Sequence, residues 1–340
     1  MKRESKESAK IWKADELLEL GRSYQAAAVF AAAADLELFD ALVRPMPAKD
    51  LAQRLHCDFR ALVILLDALV ALQLLEKDED IFFLSPQNAP FLTASGSQSI
   101  LAMAQHQANC LRNWAQLARV LKNGLPADRI PSVRGEWSDR GAFIGAMHDV
   151  SAPIADQLIE VLKPIRFRHL LDIGGASGTW TIAFLRANPS AKATLFDLPH
   201  VIPMARQRLR TVGLMRRVQL AQGDFERDTL PAGADLAWVS AIVHQNSRNQ
   251  NRALFVKVFR ALMPGGHIAI RDLLMDPTRT RPLAGALFAV NMLVATKGGA
   301  TFTFAELRED LAAAGFSNAS ILHEDAGMNS IVVAEKPAEG

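Results

Sequence analysis

From residue 168 the chain settles into a repeating order of strand, turn and helix, first met in "RHLLDIGGASGTWTIAFLRANP". This alternation restricts the fold more than any other feature. Strands are expected near 169–173, 192–197, 216–221, 235–243 and 267–273, with helices between them. Strands separated by helices are joined by right-handed crossovers, so they lie parallel in one sheet with helices on its faces. The final stretch, "FSNASILHEDAGMNSIVVAEK", breaks the order. Two strand-like runs flank a short loop containing Asp and Gly, which predicts that the sheet closes with an antiparallel hairpin.

The first part of the chain has a different period. From residue 14 to about 122 apolar residues recur at helical spacing, with one strand-like piece at "IFFLSP". Within it, "AKDLAQRLHCDFRALVILLDALVALQLLEKDEDIFFLSP" reads as helix, turn, second helix opened by Asp58, then a small hairpin: a winged-helix outline. A DNA-binding version would lay the second helix in a major groove. Here "ALVILLDALVALQLL" is apolar on nearly every face, and the wing "EKDED" would repel phosphates. A helix apolar all round calls for burial, so this region is expected to dimerise. The stretch "NGLPADRIPSVRGEWSD", about 123–139, collects Gly, Pro and polar residues and reads as the linker to the second half. The segment after it, "AFIGAMHDVSAPIADQLIEVL", is again helical.

With 340 residues, half of them hydrophobic, the chain can bury two ordinary cores. Lys plus Arg number 38 against 36 Asp plus Glu, a net charge of +2 that points neither to nucleic acid nor to an anionic membrane. Cys57 and Cys110 fall in no metal-ligand or redox spacing and are expected as reduced thiols. No His, Asp or Cys cluster has metal-ligand spacing. The charged N-terminus lacks a secretion signal, and runs such as "AAAVFAAAADL" are shorter than the ~18 to 20 residues that cross a bilayer. A cytoplasmic protein without a membrane span is expected.

In "LLDIGGASG", Asp172 ends a strand, and Gly174, Gly175 and Gly178 make a turn that lets a ligand approach the backbone. The dinucleotide fingerprint needs glycine at its first, third and sixth places; counted from Gly174 these are Gly174, Ala176 and Thr179, so it fails. In "ATLFDLP", Asp197, with Leu198 beside it, ends the next strand 25 residues after Asp172, as suits a carboxylate accepting hydrogen bonds from two ribose hydroxyls. "AQGDFERD" puts Gly223, Asp224 and Phe225 at the end of the third strand. The fourth, through "LAWVSAIV" with Ser240, is expected to stop at Val243, and Ser247 with Gln250 forms a capping box for the following helix. His244 therefore falls on the sheet edge where open α/β folds bind ligands. A neutral imidazole there can take a proton from a substrate hydroxyl. The alternative is a histidine that caps the strand or is held by a hydrogen bond in the loop, and the position at the strand's carboxyl end favours the base.

Together "LLDIGGASG", "LFDLP", "GDF", "SAIVHQNS" and "ALMPGGHIAIRDLLMD" resemble the two-domain class I small-molecule O-methyltransferases of plants and bacteria, of caffeate, acetylserotonin and antibiotic-tailoring type. The resemblance covers nearly the whole chain. It implies an α/β fold: a doubly wound, mostly parallel seven-stranded Rossmann-like sheet with an N-terminal, mostly α winged-helix dimerisation domain. The domains implied are 1–105 for dimerisation and 106–340 for methyl transfer, with 106–150 a helical connection contributing to the substrate pocket. S-adenosylmethionine is the implied cofactor, on Asp172, Gly174, Gly175, Gly178, Asp197, Leu198, Gly223, Asp224, Phe225 and Ser240. Within that set Asp224 would take the adenine amino group and Phe225 the ring. His244 matches the family's general base. Asp272 matches an acid that would orient it.

The sequence also departs from the family's pattern. Ala176 replaces a frequent glycine, Gln245 and Asn246 stand where an acid and a tryptophan are usual, and Thr301 stands where a second acid is expected. Candidate acceptor-pocket residues are Phe143 and Met147 at i, i+4 spacing, His148, and Asn291 and Met292; core packing is the default for the apolar ones. His106, Trp114 and Trp180 read as structural or surface residues. The function implied is methyl transfer to a hydroxyl of a small aromatic or natural-product acceptor by a homodimer. Two other readings stay open here: a cofactor-binding enzyme of this fold with a different reaction, and a winged-helix regulator sensing a metabolite. The apolar second helix and acidic wing argue against the regulator.

Overall fold

In the computed structural model, which describes residues 10–338, seven strands build one sheet. They are β1 (His169–Ile173), β2 (Lys192–Asp197), β3 (Val218–Gln222), β4 (Ala234–Ser240), β5 (Leu262–Asp272), β6 (Ser317–His323) and β7 (Ser330–Glu335). Their order across the sheet is β6-β7-β5-β4-β1-β2-β3. The first five strands pair in parallel, while β7 lies antiparallel between β5 and β6, so the chain ends in the expected hairpin. The helices used below are α1 (Glu136–Val161), α2 (Thr179–Ala187), α3 (Ile202–Thr211), α4 (Arg248–Ala261), α5 (Leu283–Ala295) and α6 (Phe304–Ala313).

Both sheet faces are covered, which is why the central strands read as almost unbroken apolar runs. On one face, Leu158 and Ile159 of α1, Trp180 and Phe184 of α2 and Leu209 of α3 pack against Leu170, Leu195, Trp238 and Ala269. On the other, Phe255 and Val258 of α4 and Leu307 and Leu311 of α6 pack against Leu171, Val239, Ile268 and Ile270. Side chains alternate between faces along a strand. Continued to the carboxyl tips, this puts Asp172, Ser240 and Arg271 on the α2 face and Asp272 on the α4 face.

Three strand limits differ from the sequence reading. Met215–Arg217 is a 3₁₀ turn, so β3 starts at Val218, and β5 begins at Leu262, before the Gly pair. The strand expected to reach Val243 stops at Ser240. Ala241 takes a left-handed φ of 57°, its N–H bonds the carbonyl of Arg271, and Val243–Gln245 closes a 3₁₀ turn. A residue with positive φ cannot continue the pleat, and an apolar run does not reveal it.

The described residues divide into two units, 10–108 with 132–135, and 109–131 with 136–338. The first contains helices Tyr24–Asp35, Ala48–Leu55 and Phe59–Ala71 and a small antiparallel sheet of Met46–Pro47, Ile81–Phe83 and Glu76–Asp78. Leu38, Phe39, Leu51, Leu66, Leu69 and Phe82 form its core. Asp58 caps the second helix of the winged outline by accepting from the Ala61 N–H at 2.8 Å. That helix leaves Phe59 and Ile64 exposed. No helix among the described residues is long and apolar enough to cross a membrane.

Candidate active site

The turn after β1 depends on backbone conformations that favour glycine: φ is 66° at Gly174 and 81° at Gly178, with Ala176 between them at 46°. A Cβ on Gly174 would come within 2.6 Å of Ile242 Cδ1, which ties this turn to the loop carrying His244. Asp172 lies buried beneath the turn. Its Oδ2 accepts from the Thr181 hydroxyl at 2.6 Å and the Thr181 N–H at 3.2 Å, fastening the first turn of α2. Burial pushes its carboxyl up to about 7, Thr181 opposing the rise and the nearby Asp197 adding to it.

Asp197 at the tip of β2 accepts from the Ala176 N–H through Oδ2 and from the Leu198 N–H through Oδ1, each at 2.7 Å. Burial raises its carboxyl above the ordinary value and these two N–H groups oppose the rise. Each oxygen keeps a lone pair, so the fixed carboxylate can still accept two adjacent hydroxyls. Beyond β3, a Cβ on Gly223 would meet the Phe196 ring at 2.6 Å, and Phe225 packs on the core. Asp224 accepts from the Glu226 N–H at 2.9 Å and lies 3.7 Å from Arg227. Ser240 accepts from Arg271 Nη1 at 3.1 Å. A carboxylate for hydroxyl donors, beside a glycine turn that opens a helix, fits the nucleoside part of S-adenosylmethionine.

His244 lies in the 3₁₀ turn after β4 and Asp272 at the end of β5; both are buried. The imidazole Nδ1 lies 2.8 Å from Oδ1 and 3.0 Å from Oδ2 of Asp272. A neutral ring facing a carboxylate carries its proton on Nδ1, which leaves the Nε2 lone pair as the acceptor. The carboxylate is itself held by the Leu273 N–H at 2.8 Å, and the His244 carbonyl accepts from the Ala300 N–H. Asn251 supports the turn, donating to the Val243 carbonyl and accepting from Asn246. The ring of His244 stands edge-on to Phe288 of α5, with centroids 4.8 Å apart.

Gln245 folds back onto the Ala241 carbonyl, and Thr301 is buried with its carbonyl accepting from Arg279. Of the acids that the family pattern places around the base, Asp272 alone contacts His244 among the described residues. Asn291 and Met292 follow Phe288 by three and four residues, so they share its face of α5. Met292 is buried, and Asn291 Oδ1 accepts from Trp114 Nε1 at 2.9 Å.

Of the pocket candidates on α1, Phe143 is exposed and Met147 half-buried. His148 points to α2 and α3: its Nδ1 lies 2.9 Å from Thr179 Oγ1 and its Nε2 3.0 Å from Arg208 Nη2. Since arginine only donates, Nε2 accepts and Nδ1–H donates to Thr179. Burial and Arg208 push this imidazole down to about 4. Among the described residues His148 bonds Thr179 and Arg208 and makes no contact with His244. No group of three or more His, Cys, Asp or Glu among them could hold a metal.

Residues 134–317 match the O-methyltransferase domain family and residues 18–93 the O-methyltransferase dimerisation domain. The chain belongs to the O-methyltransferase family. It is an enzyme that uses S-adenosylmethionine. It is 30% identical to the tetracenomycin polyketide synthesis 8-O-methyl transferase of Streptomyces glaucescens, over 95% of this chain and 96% of that one. It is also 30% identical to the 3-hydroxy-5-methyl-1-naphthoate 3-O-methyltransferase of Streptomyces sahachiroi, over 90% of each. Among solved structures, PigF with SAH superposes with a TM-score of 0.82 at 25% identity, over 96% of this chain and all of the other. Phe288, Thr181 and Arg271 of this enzyme escaped the sequence reading. Phe288 was within reach of it, lying at helical spacing from Asn291 and Met292. Trp114, read as structural, holds Asn291 from 177 residues away, and no local pattern encodes that contact.

Proposed function

We propose that this O-methyltransferase transfers methyl to a hydroxyl of a small, fairly apolar aromatic acceptor, with His244 as general base. The His244–Asp272 contact carries the reading: a buried imidazole with Nδ1 fixed by a carboxylate keeps Nε2 as an aligned acceptor. When bound, S-adenosylmethionine supplies a methyl on a sulfonium, which leaves as a neutral thioether and needs no acid. Asp197 and the glycine turn would hold the nucleoside. His244 takes the hydroxyl proton as the acceptor oxygen becomes a nucleophile, and Asp272 stabilises the imidazolium. Phe288 and Met292 line the acceptor side with apolar surface, and alignment of the reacting atoms provides much of the acceleration. The names of the two Streptomyces relatives, a polyketide 8-O- and a hydroxynaphthoate 3-O-methyltransferase, support an aromatic acceptor.

The dimerisation-domain match and the exposed Leu17, Leu18, Leu20 and Tyr24 support a homodimer. Cys57 and Cys110 are both thiols, which supports a reducing compartment, the cytoplasm. The test is incubation with methyl-labelled cofactor and a panel of phenols and hydroxynaphthoates, with mass spectrometry of the products. Labelled aryl ethers are expected. Consumption of cofactor with the label on nitrogen or carbon, or with no methylated product, would overturn the assignment.

A further inference from the structure

Arg271 is a cation buried at the tip of β5 without a carboxylate in salt-bridge contact. It is 3% exposed, and among the described residues no carboxylate lies within 4.0 Å of its guanidinium. Its partners are neutral. Nε and Nη2 donate to Asn329 Oδ1 at 3.1 and 2.7 Å, Nη1 donates to Ser240 Oγ at 3.1 Å, and the group lies over the Trp180 ring, 4.7 Å from its centroid. A guanidinium has five N–H donors. These bonds use three, and one proton on each of Nη1 and Nη2 has no acceptor among the described residues. Burial pushes the group down to about 10 although Asp272 and Asp325 oppose the shift, so it remains charged at neutral pH.

On the same face, Ala269, Trp238 and Ile331 are ordinary core residues, and an apolar side chain at 271 would pack there at lower cost. An arginine held flat on Trp180 with one proton on each Nη unused can receive a carboxylate in bidentate fashion. The sheet order β5-β4-β1-β2 shows which carboxylate can reach it. At about 4.8 Å per strand, the tips of β2 and β5 are about 14 Å apart. Asp197 stands at the first, the glycine turn follows β1, Ser240 ends β4 and Arg271 lies at the last. A nucleoside held by Asp197 and laid over the glycine turn directs its 5′ substituent toward β4 and β5. Trp180 also lies two residues after Gly178, in the first turn of the helix that the glycine turn opens.

We propose that Arg271 binds the α-carboxylate of S-adenosylmethionine through its unused Nη protons, with Ser240, Asn329 and Trp180 fixing the plane of the guanidinium. This rests on the placement of the nucleoside at Asp197 and the glycine turn. Arg208, another cation near that turn, directs both terminal nitrogens at Ser177, Thr179 and His148.

Calorimetry with two cofactor-derived probes tests the assignment: S-adenosylhomocysteine, which has the amino-acid end, and 5′-methylthioadenosine, which lacks it. Arg271→Gln is expected to weaken the first by about 10- to 100-fold, the range for a lost hydrogen bond to a charged group, and to leave the second within about threefold. Equal losses for both would make Arg271 a structural strap, and no loss for either would remove it from the site; both results overturn the assignment. If the wild-type enzyme binds neither probe, the nucleoside placement itself fails. A crystal structure of the wild-type enzyme with S-adenosylhomocysteine decides the matter independently of how the variant folds, by showing the carboxylate on Arg271 or elsewhere.

Discussion

His244 and Asp272 meet across the tips of two neighbouring parallel strands, Nδ1 to Oδ1 at 2.8 Å, and both side chains are almost wholly withdrawn from solvent. Removing the proposed base should lower turnover without touching the cofactor. His244→Ala is expected to lose about 100-fold or more in turnover, with S-adenosylhomocysteine affinity kept. Asp272→Asn keeps the shape but favours the wrong tautomer, a change that costs up to about 10⁴ in a serine protease triad. Because the pair acts as a unit, the double variant should be about as slow as His244→Ala alone. Steady-state kinetics and calorimetry on the three variants check this; fully multiplicative losses would mean that the two residues act separately.

Asp197 offers a different readout. Its carboxylate is fixed by two backbone N–H groups at 2.7 Å and would accept two ribose hydroxyls. Asp197→Ala should weaken S-adenosylmethionine by about 100-fold or more, since each lost charged hydrogen bond costs about 1.5–3 kcal/mol. Unchanged affinity in a titration would detach this residue from the cofactor.

The buried Asp172 gives a pH-dependent expectation. Its carboxyl has an ordinary value of 3.8 and is pushed up to about 7 in the fold. Between those values the folded state binds more protons than the unfolded state, so stability falls as pH rises through this window and the penalty is complete above it. Asn at this position can accept from Thr181 without ever ionising. The ligand-free Asp172→Asn enzyme should therefore melt above wild type at pH 8 and by a smaller margin at pH 5, inside the window. Scanning calorimetry at the two values decides, and a variant less stable at pH 8 would contradict the expectation.

Much of this arrangement was legible because it is written locally. The strand-turn-helix order, the glycines of 174–178, the two strand-end acids 172 and 197 and the Ser247 cap are each short-range patterns. What stayed hidden is tertiary. Ala241 looks like any strand residue until its φ of 57° ends the ladder and swings His244 into a turn. His148, a neighbour of Met147 in sequence, points away to Thr179 and Arg208 because successive helix positions lie about 100° apart. Arg271 gave no sign of being unpaired, since its partners Ser240 and Asn329 lie on other strands and loops.

Helix Ala14–Arg22 carries the last expectation. It is nine residues long and buries none of them, while Leu17, Leu18 and Leu20 are each at least half exposed and Tyr24 follows at 58%. A helix this short is marginal in water without packing of its apolar side. It therefore requires a covering surface, and the dimerisation-domain match over 18–93 makes a second copy of the chain the expected cover. Light scattering at micromolar concentration should give twice the chain mass for the wild type. Leu17→Glu with Leu20→Glu places charges in that interface, where they cannot be buried unpaired, and should shift the mass toward one chain. A wild-type monomer, or a double variant that stays dimeric, would show that this helix is covered by something other than its own counterpart.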